Sequence, residues 1–268
     1  PDSIEKLINK NTKAILPVHL YGHSCQMTKI MKIAKKYNLL VIEDGAQSFG
    51  SKQNLIRSCG LSTIGTTSFF PSKPLGCYGD GGACFTNDDF LAKSMRQISS
   101  HGQEKRYTHI KLGLNGRLDT IQAAVLLSKL NVFEREVYLR EEIGERYSKK
   151  LNERGFKNTP FIEKMNTSVY AQYTIKIENR DKIIAFLEDK GIPTSIHYPS
   201  LLPDQVALNN RKTFLNNFFK KAIFKSYKLE NARNLVPKVL SLPMHPMLKK
   251  DDQDKIIDCL IDATKSIN

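Results

Sequence analysis

Residues 39–42 read Leu-Leu-Val-Ile without polar alternation, and two carboxylates, Glu43 and Asp44, follow at once. A short, continuous apolar run fits a strand covered on both faces, as in a parallel sheet. Residues 28–37 precede it, with Ile30, Met31, Ala34 and Tyr37 at the spacing of one buried helical face, and residues 14–18 (Ala-Ile-Leu-Pro-Val) read as a strand before that. Strand, helix and strand in this order make a βαβ unit. Asp44 then stands at the carboxyl end of a buried strand, the edge at which open α/β sheets bind ligands. A carboxylate there needs a cationic or hydrogen-bonding partner; taken alone, Asp44 equally fits a helix N-cap.

Residues 66–86, TTSFFPSKPLGCYGDGGACFT, set a lysine against this edge. The stretch reads as a strand over 66–70, a break at Pro71, Lys73 held between Ser72 and Pro74, the glycines Gly76, Gly79, Gly81 and Gly82, and a second buried strand over 83–86. Pro74 biases Lys73 toward an extended backbone, and the glycines permit tight turns. A single amine on a rigid loop suits a lysine that must become neutral and attack a carbonyl. The plain alternative is a solvated lysine in a hairpin loop.

The rest of the chain reads as follows. Asn87-Asp-Asp89 cap a helix to Ser99 with Leu91, Met95 and Ile98 inward; residues 104–111 read as a mobile loop; and a long helix reaching about Leu151 carries a stripe of Leu118, Ile121, Val125, Leu126, Leu130 and Phe133. Beyond a junction at 155–166 come a half-buried strand over 169–177, a helix over 181–189 stopped by Gly191, a lysine-rich helix over 210–234, a short strand over 239–242, and a last helix capped by Asp251-Asp252. The expected division is 1–152, the sheet-bearing domain, and 153–268, a smaller α+β domain. The chain of 268 residues carries 41 basic and 27 acidic side chains, a formal charge of +14. Such a charge fits a nucleic-acid partner or an anionic small substrate; the basic residues are scattered rather than gathered in a tail or zinc-finger pattern, and diffuse charge of this kind usually only solvates a surface, which argues against nucleic acid. The five cysteines lack CxxC spacing, so neither a metal site nor a disulfide framework is expected, and a reducing cytoplasm fits. No apolar run reaches membrane-spanning length.

Asp44, Gln47, Ser68 and Lys73 together are what a pyridoxal 5'-phosphate site requires: a lysine to hold the cofactor, a carboxylate to keep its ring nitrogen protonated, and a hydroxyl for its phosphate. HLYG (19–22), IEDGAQS (42–48), TSFFPSKPLGCYGDGGACFTND (67–88) and GLNGRLDTIQAA (113–124) resemble the DegT/DnrJ/EryC1/StrS family of nucleotide-sugar aminotransferases over essentially the whole chain. HGQ (101–103), SVYAQYT (168–174), HYP (197–199) and SLPMHP (241–246) look most like the members that aminate a UDP-2-acetamido-3-oxo-glucuronate, with glutamate as donor, for O-antigen. The resemblance implies an α/β fold of the fold type I, aspartate aminotransferase-like kind, with an N-terminally incomplete large domain and a smaller C-terminal α+β domain. It implies that Lys73 is the Schiff-base lysine and proton carrier, that Asp44 pairs with the pyridine nitrogen, that Gln47 contacts the ring-oxygen side, and that Ser68 binds phosphate. Asn115 would reach the phosphate of a neighbouring subunit in a homodimer, Arg117 would meet a substrate carboxylate, and His197 and Tyr198 would line the sugar-nucleotide pocket. Family members precede the segment equivalent to 1–21 with more chain, on the order of a small domain's worth, so the chain reads as an N-terminally truncated member; the alternatives are an inactive truncated remnant with an interaction role and, less favoured, a basic nucleic-acid-binding protein.

Overall fold

The computed structural model describes residues 1–206 and 229–267. These form two compact units. The first comprises Pro1–Gly144, Phe161–Ala171 and Met244–Met247; the second comprises Glu145–Pro160, Gln172–Pro243 and Leu248–Asn268, each taken over its described residues.

The first unit holds α1 (Asp2–Glu5), β1 (Ala14–Ile15), α2 (Met27–Lys36), β2 (Leu40–Asp44), β3 (Lys52–Gln53), β4 (Ile56–Arg57), β5 (Ile64–Ser68), β6 (Gly82–Phe85), α3 (Asp89–Ser99), β7 (Gln103–Lys105) and β8 (Thr108–His109). Helix α4 (Thr120–Glu153) begins in this unit and ends in the second. The main sheet has the order β1-β2-β5-β6, with β1, β2 and β5 parallel and β6 antiparallel to β5. The βαβ reading of residues 14–44 therefore holds. Met27, Ile30 and Ala34 of α2 pack on Val41 of β2, as the helical spacing requires. A second core of Phe69, Leu75, Cys77, Leu126 and Phe133 joins the Lys73 loop to α4.

Five expectations in this unit need correction. Strand β2 is not covered on both faces: Leu40 is 60% exposed while Val41 and Glu43 are buried, so an unbroken apolar run conceals a real alternation. Strand β6 is largely exposed rather than buried. Ile98 faces outward, the inward place near the end of α3 being taken by Gln97. The stripe on the long helix narrows to Leu126 and Phe133, while Leu118, Ile121 and Leu130 are exposed. Residues 104–111, expected as a loop, include the β7–β8 hairpin, with Arg106 lying over the ring of Tyr107. Asp88 does cap α3, its carboxylate accepting the Leu91 N–H at 2.9 Å.

In the second unit β9 (Tyr173–Lys176) pairs antiparallel with β10 (Val239–Leu242), together with α5 (Arg180–Asp189), α6 (Glu230–Leu235) and α7 (Lys250–Ile267). Tyr173, Ile175 and Ile177 are buried, as their alternation predicts, and so are Ile256, Ile257, Leu260 and Ile261 of α7. Each such side chain contributes about 1.5–3 kcal/mol on burial. Tyr147 and Tyr173 stack with centroids 4.7 Å apart. Asp254 of α7 accepts both Arg146 and Lys150 from the end of α4. Gly191 ends α5 with φ +69, where a glycine is needed. The expected 210–234 helix lies outside the described residues as far as 228; its tail is α6.

Candidate active site

The carboxyl ends of β2 and β5 bring the first group of candidates to one sheet edge. Asp44 closes β2 opposite Thr66, and Ser68 closes β5. The Asp44 backbone is held on both sides: its N–H donates to Pro17 at 2.9 Å, its carbonyl accepts from His19 N–H at 3.0 Å, and Gly45 N–H donates to Thr66 at 2.8 Å. Asp44 Oδ1 accepts Ala46 N–H at 3.0 Å, and Oδ2 has no hydrogen-bond partner among the described residues. Gln47 is buried, with Oε1 accepting the Tyr21 N–H at 2.6 Å. Ser68 Oγ accepts Phe70 N–H at 3.2 Å, which leaves its own proton to donate.

The loop bearing Lys73 is anchored at both ends. Phe69 N–H donates to Gly81 and Cys77 N–H to Phe69, each at 2.8 Å. Gln122 of α4 takes Tyr78 N–H and donates to the Tyr78 carbonyl, and Lys129 Nζ donates to the Gly76 carbonyl at 2.6 Å. A Cβ on Gly76 would stand 2.5 Å from the Pro71 carbonyl oxygen, so this turn excludes side chains. Leu75 and Cys77, which follow Lys73 in the loop, are buried. Lys73 itself is half-buried, and its Nζ makes no hydrogen bond or ion pair among the described residues.

The other candidates lie on other segments. Asn115 and Arg117 lie on an exposed stretch beside the end of α3, where Gly116 N–H donates to Ser99, and neither side chain is bonded among the described residues. His197 and Tyr198 belong to the second unit; His197 Nδ1 lies 2.9 Å from Ser241 Oγ, and the two rings meet edge to face at 5.5 Å.

Directly behind Asp44 lies a group whose chemistry the sequence reading left unassigned. Glu43 and His19 are both fully buried. Glu43 Oε2 accepts His19 Nε2–H at 3.0 Å and Cys59 N–H at 2.9 Å; Oε1 accepts Leu61 N–H at 2.7 Å and Ser62 O–H at 3.0 Å, a proton shared with the Ile64 carbonyl, also at 3.0 Å. Four donors satisfy the carboxylate. Burial pushes the Glu43 pKa up, but the His19 and Cys59 hydrogen bonds outweigh it and the balance lies below the ordinary value. Burial opposes a charge on His19 while the Cys25 and Glu43 side chains favour one, a balance lying at about 9. A second proton would have to enter at Nδ1, however, where Cys25 N–H already donates at 3.1 Å, so the ring geometry is that of the neutral Nε2–H tautomer. The signal available in the sequence was the Glu-Asp pair itself: adjacent strand residues face opposite sides, so one carboxylate of the two must point inward.

A stability prediction follows from Glu43. With its pKa lowered on folding, the unfolded chain binds more protons near and below the reference value of 4.5, so the contribution of Glu43 is present above that value and is lost as pH falls through the folded pKa. Glu43→Gln lowers stability at neutral pH by about 1–3 kcal/mol for each donor left facing an amide N–H. It also flattens the acid limb. Urea melts from neutral pH downward check this; an acid limb as steep in Glu43→Gln as in the unsubstituted protein would refute it.

The class of fold is thus a mainly parallel α/β sheet with a carboxylate ending its middle parallel strand and a glycine-framed lysine loop following the next strand. The chain belongs to the DegT/DnrJ/EryC1/StrS aminotransferase family, whose sequence profile matches residues 1–261. It is 50% identical, over 248 residues, to UDP-2-acetamido-2-deoxy-3-oxo-D-glucuronate aminotransferase of Pseudomonas aeruginosa, covering 92% of this chain and 65% of that protein. Among solved structures, a DegT DnrJ EryC1 StrS aminotransferase from Brucella abortus superposes with TM-score 0.83 at 41% identity, over 94% of this chain and 64% of that one. NtdA from Bacillus subtilis with bound cofactor PMP superposes with TM-score 0.86 at 32% identity, over 99% of this chain and 59% of that one. The chain thus spans somewhat less than two thirds of the length of these relatives. The α/β fold expected from the resemblance is borne out. Among the described residues no helix is long and apolar enough to cross a membrane.

Proposed function

We propose that this chain carries the lysine and ring-nitrogen side of a pyridoxal-phosphate aminotransferase site. In this reading it moves an amino group from glutamate to a keto sugar nucleotide, UDP-2-acetamido-3-oxo-glucuronate, in cytoplasmic synthesis of a surface polysaccharide such as O-antigen. The observation that carries the reading is the pair of unpartnered groups near one sheet edge: an amine on Lys73 without a carboxylate, and an Oδ2 on Asp44 without a donor. A buried or half-buried polar group left open in this way fits a ligand that supplies the partner. The cofactor, when bound, supplies an electron sink for the amino-bearing carbon.

The chain's own residues do the rest. Asp44 takes a ring N–H on its open oxygen and holds that proton in place. Ser68 donates its hydroxyl proton to a phosphate oxygen, and Gln47 fixes the approach on the ring-oxygen side. Lys73 would hold the cofactor and, once neutral, would carry a proton at Nζ, as base and then acid. Arg117 offers a planar fork to the uronate carboxylate, and His197 and Tyr198 line the sugar-nucleotide side. The net charge of +14 draws a diphosphate-bearing substrate toward the protein.

The exposed Asn115 is read as serving the phosphate of a second copy, which makes a homodimer part of the mechanism. The exposed Leu112, Leu114, Ile121 and Leu130 support that reading, since large apolar side chains left outward favour a protein partner. Titration of the purified protein with pyridoxal phosphate should produce a visible absorption band that glutamate bleaches and a 3-oxo sugar nucleotide restores. A protein of this sequence that takes up no cofactor under any condition would refute the proposal.

A further inference from the structure

We propose that Glu43 and His19 are positioning residues for Asp44, setting where the strand-end carboxylate meets the cofactor; the inference rests on the cofactor reading above. Glu43 and Asp44 are neighbours in β2, so their side chains leave opposite faces: Asp44 stands at the site edge and Glu43 is sealed in the interior. The two oxygens of Glu43 join three segments. His19 comes from the turn after β1, Cys59 lies just past β4, and Leu61 and Ser62 lie just before β5. The backbone repeats the same join, with Asp44 bonded to Pro17 and His19 on one side and Thr66 Oγ1 donating to the Glu43 carbonyl at 2.9 Å on the other.

His19 is itself oriented from behind, because Cys25 N–H donates to Nδ1 and leaves the Nε2 proton for Glu43. Burial pushes the nearby Cys59 thiol up to about 11, which favours its neutral form. An apolar cluster would fill this volume at lower cost than a buried carboxylate. Four directed bonds do what apolar packing does not: they fix the end of β2 in rotation and in register against both neighbouring strands. Such supports hold a site's working groups in their productive geometry.

The test measures pyridoxal phosphate binding and the visible circular dichroism of the bound cofactor in four forms: the unsubstituted protein, Glu43→Gln, Ser62→Ala and Leu260→Ala. Leu260 is fully buried in the second unit and serves as a destabilised control remote in sequence from Asp44. Glu43→Gln is expected to weaken cofactor binding about tenfold or more, as loss of bonds to a charged group would, and to change the dichroic band. Ser62→Ala removes one donor of the four and is expected to shift both readouts the same way by less. It also decides the matter if Glu43→Gln does not fold. Leu260→Ala should lower the melting temperature and leave both cofactor readouts unchanged. Unchanged binding and dichroism in the Glu43 and Ser62 variants, or an equal loss in Leu260→Ala, overturns the inference while the cofactor reading stands. An unsubstituted protein that takes up no cofactor overturns both.

Discussion

Lys73→Ala is expected to abolish the visible band of lysine-held pyridoxal phosphate and to lower amino transfer by about three orders of magnitude or more, within the range general acid–base groups supply and with the loss of the covalent anchor added. The structure makes this a clean experiment. The Lys73 side chain is half-buried, and its Nζ holds nothing else in place among the described residues. The loop around it is secured by other groups: Leu75 and Cys77 in the core, Gln122 on Tyr78, and Lys129 on Gly76. Melting of the cofactor-free protein should therefore stay within about 0.5 kcal/mol of the unsubstituted value, as for substitutions away from packed features. Borohydride reduction followed by peptide mass analysis supplies a second readout, with the cofactor's mass expected on the peptide carrying Lys73 and on no other. A variant that kept the band, or a label on another lysine, would remove Lys73 from the role.

Much of this was legible because pattern and environment agree. In the second unit, Tyr173, Ile175 and Ile177 alternate, and Ile256, Ile257, Leu260 and Ile261 keep helical spacing; each set faces one core, so period alone identifies it. The first unit is harder. Leu39 to Ile42 looks like a strand covered twice, yet the inward place one residue later is taken by Glu43, a charged residue that composition assigns to the surface. The misread apolar side chains, Ile98, Leu118, Ile121 and Leu130, share a cause: hydrophobicity reports that a residue avoids water, not which surface removes it from water. The hairpin at 103–109 was missed because its strands are only three and two residues long, too short for alternation to register. Asp44 and Ser68 reach one sheet edge through the pairing of β2 with β5, which the βαβ pattern of residues 14–44 does not specify. The four bonds on Glu43 were not legible, since three of their donors come from residues 59–62 through backbone and hydroxyl groups that carry no sequence signal.

That same loop makes Gly65→Ala the most damaging small substitution expected in the sheet. Gly65 lies in β5 between Glu43 of β2 and Phe85 of β6. A Cβ there would stand 2.1 Å from the Cys59 carbonyl oxygen and 2.4 Å from its Cα, and both are backbone atoms. Cys59 has little freedom to retreat. It already holds a left-handed conformation, φ +72, and its N–H is committed to Glu43, as are Leu61 and Ser62 beyond it. The added methyl must either bend β5 or pull a donor from a buried carboxylate, so overpacking and a broken polar network act together. A loss of about 4 kcal/mol or more is expected. Gly155→Ala makes the comparison. Gly155 has φ +89 but nothing within 4 Å of its Cβ, so its cost is conformational alone, about 1–2 kcal/mol. Urea denaturation of the two cofactor-free variants, side by side, separates steric exclusion from backbone preference. If Gly65→Ala proves no more costly than Gly155→Ala, the Cys59 loop is free to move, and the rigid support assigned to Glu43 and Asp44 is lost with it.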